Sequence, residues 1–68
     1  MDNKIKDMRQ ANGLTQEDLA QKVHVSRQTI ISLETGRYDP SIHLAYKIAR
    51  VFDRPIEDIF IFHGEEHE

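Results

Sequence analysis

Residues 15–36 read Thr-Gln-Glu-Asp-Leu-Ala-Gln-Lys-Val-His-Val-Ser-Arg-Gln-Thr-Ile-Ile-Ser-Leu-Glu-Thr-Gly, and this stretch decides the fold. It reads as two short helices separated by a tight turn. Thr15 supplies an N-cap oxygen, and Asp18, three residues on, completes a box of the Thr-x-x-acid kind. Leu19, Ala20 and Val23 then recur at three- and four-residue steps, one face of a helix. His24 and Val25 break that pattern. Ser26 restarts it as a second N-cap, with Ile30 and Leu33 on the inner face. Gly36 ends it, because positive φ carries no Cβ penalty at glycine.

The second of these helices has a distinctive outer face. Arg27, Gln28, Ile31 and Ser32 fall at i, i+1, i+4 and i+5, on the side away from Ile30 and Leu33. Arg and Gln make bidentate contacts to base edges in the major groove, Arg to guanine and Gln to adenine. A helix held by a partner helix and opening on Arg and Gln fits the groove-reading half of a helix-turn-helix. Base reading is therefore expected of Arg27, Gln28, Ile31 and Ser32. Ile31 either meets a thymine methyl or the sugar wall, or tucks against the preceding helix and reads nothing. The starts of both helices, at Thr15 and at Ser26 and Thr29, offer free N–H groups to phosphates. Arg37, Tyr38 and Ser41 flank the groove and are expected to clamp phosphates, setting register without reading sequence.

These residues resemble the Cro/cI-type (XRE) family of prokaryotic and phage regulators. The resemblance is carried by Leu14-Thr15-Gln16-Glu17-Asp18-Leu19-Ala20, Val25-Ser26-Arg27-Gln28-Thr29-Ile30, Leu33-Glu34-Thr35-Gly36-Arg37-Tyr38 and Pro40-Ser41. It spans roughly residues 4–60 and is to short members, little more than the DNA-binding domain. It implies an all-α, compact, five-helix lambda-repressor-like domain in the cytoplasm. It also implies an ion pair between Arg9 and Glu34, locking the first helix to the end of the third. Gln16 matches a family position that contacts the DNA backbone and braces the groove-reading helix. Many members carry glycine where this chain has His24; positive φ at a non-glycine residue costs on the order of 1 kcal/mol.

The function so implied is a double-stranded DNA-binding regulator. Two-fold pairing would place two reading helices about 34 Å apart, over a palindromic operator with half-sites spaced by roughly ten base pairs. The expected protein is a homodimeric repressor, although an acidic C-terminal contact to polymerase could activate instead. The alternative is an antitoxin or adaptor that uses the same fold mainly to bind another protein.

Composition bounds these readings. With 68 residues there is room for one domain, expected over 1–62, and for no separate small-molecule effector domain. A chain this short must use nearly every apolar residue in one core or oligomerise. Net charge is −3, unusual for a DNA binder. Its distribution is uneven. Residues 1–50 hold eight Lys/Arg against six Asp/Glu, and residues 51–68 hold one arginine against six acids. The acidic end should point away from phosphates. There is no cysteine, hence no disulfide or thiolate metal site. No signal peptide or membrane-length apolar run is seen. No Ser/His/Asp ordering or Gly-rich phosphate loop is present, so neither an enzyme nor a cofactor is expected.

The remaining elements follow in order. A first helix is expected over 2–11, with Ile5 and Met8 inward, stopped by Asn12-Gly13. Ser41 should cap a fourth helix over 42–52, with Ile42, Ala45, Ile48, Ala49 and Phe52 as its inner stripe. Leu44 and Val51 lie off that stripe, either as ordinary exposed apolars or as part of a dimer surface. Pro55 suits the first position of a fifth helix, with Ile56, Ile59 and Phe60 packing inward. Ile61 and Phe62 either fold back or meet a second copy, as a short strand. The expected dimer surface thus comprises Leu44, Val51, Ile59, Ile61 and Phe62. Residues 63–68 read as a polar, flexible tail. His63 and His67 have metal-ligand spacing, but Gly64 opposes a helix there and no metal is expected.

Overall fold

Local caps set where the helices begin. The computed structural model describes residues 1–62, and the expectations for residues 63–68 lie outside the described residues. Five helices follow in order: α1 (Ile5–Ala11), α2 (Gln16–Val23), α3 (Arg27–Glu34), α4 (Ile42–Phe52) and α5 (Ile56–Ile59). Thr15, Ser26 and Ser41 hold the N-caps of α2, α3 and α4 with extended backbone. Their side-chain oxygens accept from the N–H groups of Asp18, Thr29 and Leu44. Each such cap is worth about 1 kcal/mol over alanine. The turn between α2 and α3 is made by His24 at φ 63°, and α3 is closed by Gly36 at φ 79°. Asp53, after α4, is a second non-glycine residue in the left-handed region, at φ 55°.

The helices close on one apolar core. Leu19 and Val23 of α2, Ile30 and Leu33 of α3, Ile48 of α4 and Ile5 of α1 have no exposed surface. α2 packs on both α3 and α4.

The fourth helix differs in phase from the sequence expectation. Its inner stripe is Leu44, Ala45, Ile48, Ala49 and Phe52, whereas Ile42 is 73% exposed. Ile42 is the first helical residue after the Ser41 cap. Leu44 therefore belongs to the chain's own core and is not available to a dimer surface. The same correction applies to Ile59, which is fully buried.

The first helix starts at Ile5, later than expected, because residues 2–4 are committed elsewhere. The Lys4 N–H donates to the Ile59 carbonyl (2.7 Å) and the Ile61 N–H to the Asp2 carbonyl (2.9 Å). Asn3 and Phe60 form an isolated antiparallel bridge. The strand-like C-terminal stretch thus pairs with the chain's own N-terminal segment. Asn3 also donates from Nδ2 to the Leu33 carbonyl (2.7 Å), fastening that segment to the end of α3. Pro55 sits at the N-cap of α5, one position before the first helical residue.

Arg9 and Glu34 form the ion pair that the resemblance implies. Arg9 Nε donates to Glu34 Oε2 at 2.7 Å and Nη2 to Oε1 at 3.3 Å. The side chains are 10% and 5% exposed. The remaining arms are also used: Arg9 Nη1 donates to the Leu14 carbonyl (2.9 Å), and Gln16 Nε2 donates to Glu34 Oε1 (3.2 Å). Three helices are thereby tied to one carboxylate.

Two stability outcomes follow from these contacts. Glu34→Gln leaves the Arg9 charge buried without its counter-ion and should lower unfolding free energy by about 3 kcal/mol in a urea titration. His24→Gly relieves the left-handed strain at the α2–α3 turn and should raise stability by about 0.5–1 kcal/mol in the same assay.

Candidate nucleic-acid interface

The start of α3 is where the molecule presents its polar reach. Ile30 and Leu33 are buried beneath the helix, so its opposite side faces outward. Arg27 and Gln28 are exposed in the first turn, while Ile31 and Ser32 are half-buried. Two open hollows flank this turn. The larger, about 590 Å³, brings Arg27 beside Thr15, Gln16 and Glu17 at the start of α2. The smaller, about 190 Å³, joins Gln28 and Ser32 to Ser26, Thr29 and Tyr38. Tyr38 is thus carried by the loop after α3 back to the face that bears Gln28. Arg37 and Ser41 are exposed in the same loop but line neither hollow.

Several of the polar side chains are already engaged within the fold. The Ser26 and Thr29 hydroxyls bond to one another at 3.0 Å, and the Thr29 N–H donates to Ser26 Oγ. Gln16 is held by Glu34. The Asp18 N–H donates to Thr15 Oγ1 (3.0 Å), and the Thr15 N–H donates to Asp18 Oδ2 (2.9 Å). These bonds orient the helix starts and leave Arg27, Gln28, Arg37 and Tyr38 as the outward-reaching groups. The Thr15 backbone N–H holds the Asp18 carboxyl below the usual carboxylate range, with the Thr15 hydroxyl adding to the effect.

One residue of the face escaped the sequence reading. Glu17 lines the larger hollow beside Arg27 and is held along α2 by Gln21, whose Nε2 donates to Glu17 Oε2 at 3.2 Å. The four-residue spacing of Glu17 and Gln21 was the available signal. Of the five residues expected at a dimer surface, Ile61 and Phe62 are exposed and Val51 is half-buried. Leu44 and Ile59 are inside. No group of three metal-ligating side chains occurs among the described residues. No helix among them is long and apolar enough to cross a membrane.

Comparison with known proteins agrees with this geometry. A family model described as helix-turn-helix matches residues 5–59. An uncharacterized HTH-type transcriptional regulator of Methanocaldococcus jannaschii is 59% identical over 66 residues, covering 97% of this chain and 100% of the relative. The transcriptional repressor RstR of cryptic phage CTXphi, from Vibrio cholerae, is 30% identical over 57 residues, covering 84% and 51%. Among solved structures, the restriction-modification controller protein C.AhdI of Aeromonas hydrophila superposes with a TM-score of 0.75 at 28% identity, covering 82% of this chain and 85% of that one. The chain belongs to the helix-turn-helix family and is a transcriptional regulator with a DNA-binding fold of the XRE type.

The capping box at the start of α2 makes a pH-dependent contribution. Because the folded Asp18 carboxyl is depressed, its stabilisation is present above the unfolded value, about 4, and is lost as pH falls through the lower folded value. Urea midpoints at pH 7 should therefore be higher for the wild type than for Asp18→Asn. The gap should narrow as pH is lowered below about 4.

Proposed function

We propose that this member of the family is a sequence-specific repressor that binds an inverted-repeat operator as a homodimer, with α3 in the major groove. The observation that carries the reading is the first turn of α3: Arg27 and Gln28 stand exposed between two open hollows, over a buried inner face. Arg27 and Gln28 read base edges, and Ser32 reads or abuts the next base. Ile31, half-buried, offers its remaining apolar surface to a thymine methyl.

The phosphates are held from both sides. On one side are the N–H groups at the start of α2, with Thr15 and Gln16. On the other are the start of α3, with Ser26 and Thr29, and the loop residues Arg37, Tyr38 and Ser41. Since the Ser26, Thr29 and Gln16 side chains are already bonded internally, their contribution is chiefly to aim the backbone N–H groups. Dimerisation is assigned to Ile61 and Phe62, which are 36% and 46% exposed at the edge of the paired termini. A repressor role is supported by the phage repressor relative. The acidic residues Glu57 and Asp58 of α5 sit away from the proposed phosphate contacts in sequence and element, as electrostatics requires.

The test is fluorescence anisotropy with the duplex lying just upstream of the protein's own gene, at two salt concentrations. Tight, salt-dependent binding of an inverted repeat by a dimer is expected. Binding that requires a second protein would instead favour an adaptor or antitoxin. Arg27→Ala should cost about 1–3 kcal/mol of specific affinity with an unchanged melting curve. Arg37→Ala should weaken all sequences alike and lower the salt slope by about 1.

A further inference from the structure

The side of the molecule where α2 meets α4 carries a second charged surface that the DNA reading leaves unused. Two open hollows, of about 420 and 390 Å³, run into one another by sharing Lys22 and Val51. The one reaching Tyr46 has no lining residue in common with either hollow beside the start of α3. Its rim holds three cations: Lys22 from α2, and Lys47 and Arg50 from α4. Among the described residues, no aspartate or glutamate lines either hollow. None of the three cations is within salt-bridge distance of a carboxylate among the described residues. Asp18 lies within electrostatic reach of Lys22, and Asp53 lines the adjoining hollow beside Arg50, so the charge is partly balanced behind the rim, while the rim itself presents only cations to an anionic partner.

Two further features make this a shaped surface. Its floor is apolar, since Leu14 and Val51 are half-buried against the core. Arg50 is held in place, 5.7 Å over the Tyr46 ring, with Nη1 donating to the Tyr46 hydroxyl at 2.8 Å. A guanidinium fixed in advance loses little freedom when it binds. His24, a strained non-glycine residue at the α2–α3 turn, rims the same hollow.

The chemistry of the occupant follows from floor and rim together. Phosphates of a duplex would satisfy the cations but leave Leu14 and Val51 uncovered. An acidic amphipathic polypeptide satisfies both, placing apolar side chains on the floor and carboxylates against the rim. We propose that the groove between α2 and α4 docks an acidic amphipathic segment of another protein. Leu14 also lines the hollow beside Arg27, but the cationic part of the groove around Tyr46 shares no lining residue with the hollows at the start of α3, so a regulator bound through α3 could hold that partner at the same time.

The probe is a labelled sixteen-residue peptide with leucines at helical i, i+3, i+4, i+7 spacing and glutamates elsewhere. A scrambled peptide of the same composition is the control. Anisotropy should show salt-sensitive binding of the patterned peptide, at least tenfold tighter than the scrambled one. Lys22→Glu and Lys47→Glu, both at exposed positions, should each weaken it at least fivefold, and Arg27→Ala should leave it unchanged. Equal affinity for the scrambled peptide, or insensitivity to both charge reversals, overturns the proposal. So does displacement of the peptide by a non-cognate duplex, which would make the groove a nucleic-acid surface. Loss of self-association in Lys47→Glu would assign the face to a second copy and likewise overturn it.

Discussion

The structure depends on one buried ion pair. Glu34, the last residue of α3, receives Arg9 from α1 and Gln16 from the start of α2. Burying two opposite charges is costly unless every arm is satisfied. Here the third guanidinium arm goes to the Leu14 carbonyl, and no buried side-chain polar atom lacks a partner among the described residues. The pair's worth is positional more than energetic. An all-apolar contact would let α3 rotate or slide, whereas a forked guanidinium–carboxylate contact admits one register. The helix proposed to enter the groove is thus fixed at its far end, and its first turn stays free to meet DNA.

The rest of the fold supplies what so short a chain cannot draw from core volume alone. The two termini close on each other through Asn3 and Phe60, burying Phe60 to 1% exposure and holding α5 against the core. That closure also places Ile61 and Phe62 at an outer edge. Left-handed residues at His24 and Asp53 turn the chain sharply without glycine. His24 lies at the α2–α3 turn on the cationic groove, and Asp53 lines the adjoining hollow beside Arg50 and Arg54. Strain is tolerated at both because the flanking helices over-determine the turn.

Much of this was legible in the sequence because it is local. The Thr15–Asp18 box, the Ser26 and Ser41 caps and the terminating Gly36 are decided within a few residues, so type and spacing suffice. The Arg9–Glu34 pair was not readable from spacing; only the resemblance to a family placed those residues together. The phase of α4 was misread because apolar residues occur all round it, at 42, 44, 45, 48, 49, 51 and 52. Periodicity cannot choose between Ile42 and Leu44 when both lie in such a helix; its docking on α2 decides. The late start of α1 follows from the pairing of residues 2–4 with 59–61, a contact across the whole chain, whereas the inward packing of Ile59 was readable and conflicted with its place on the expected dimer surface. Asp53 did carry a local signal, an aspartate between an apolar stripe and Arg-Pro, since aspartate is enriched in left-handed backbone. On the candidate site, the outward reach of Arg27 and Gln28 was readable from the helix wheel. The return of Tyr38 to the Gln28–Ser32 hollow was not, because it depends on the path of a loop.

In the proposed complex α3 meets DNA through its first turn while α5 stays clear. Amide chemical-shift mapping tests this most directly: the labelled protein is titrated with the inverted-repeat duplex from upstream of its own gene. Shifts should concentrate in residues 15–17, 26–32 and 37–41, with α5 unmoved. Shifts confined to α4 and α5, or absent from residues 26–32, would contradict it.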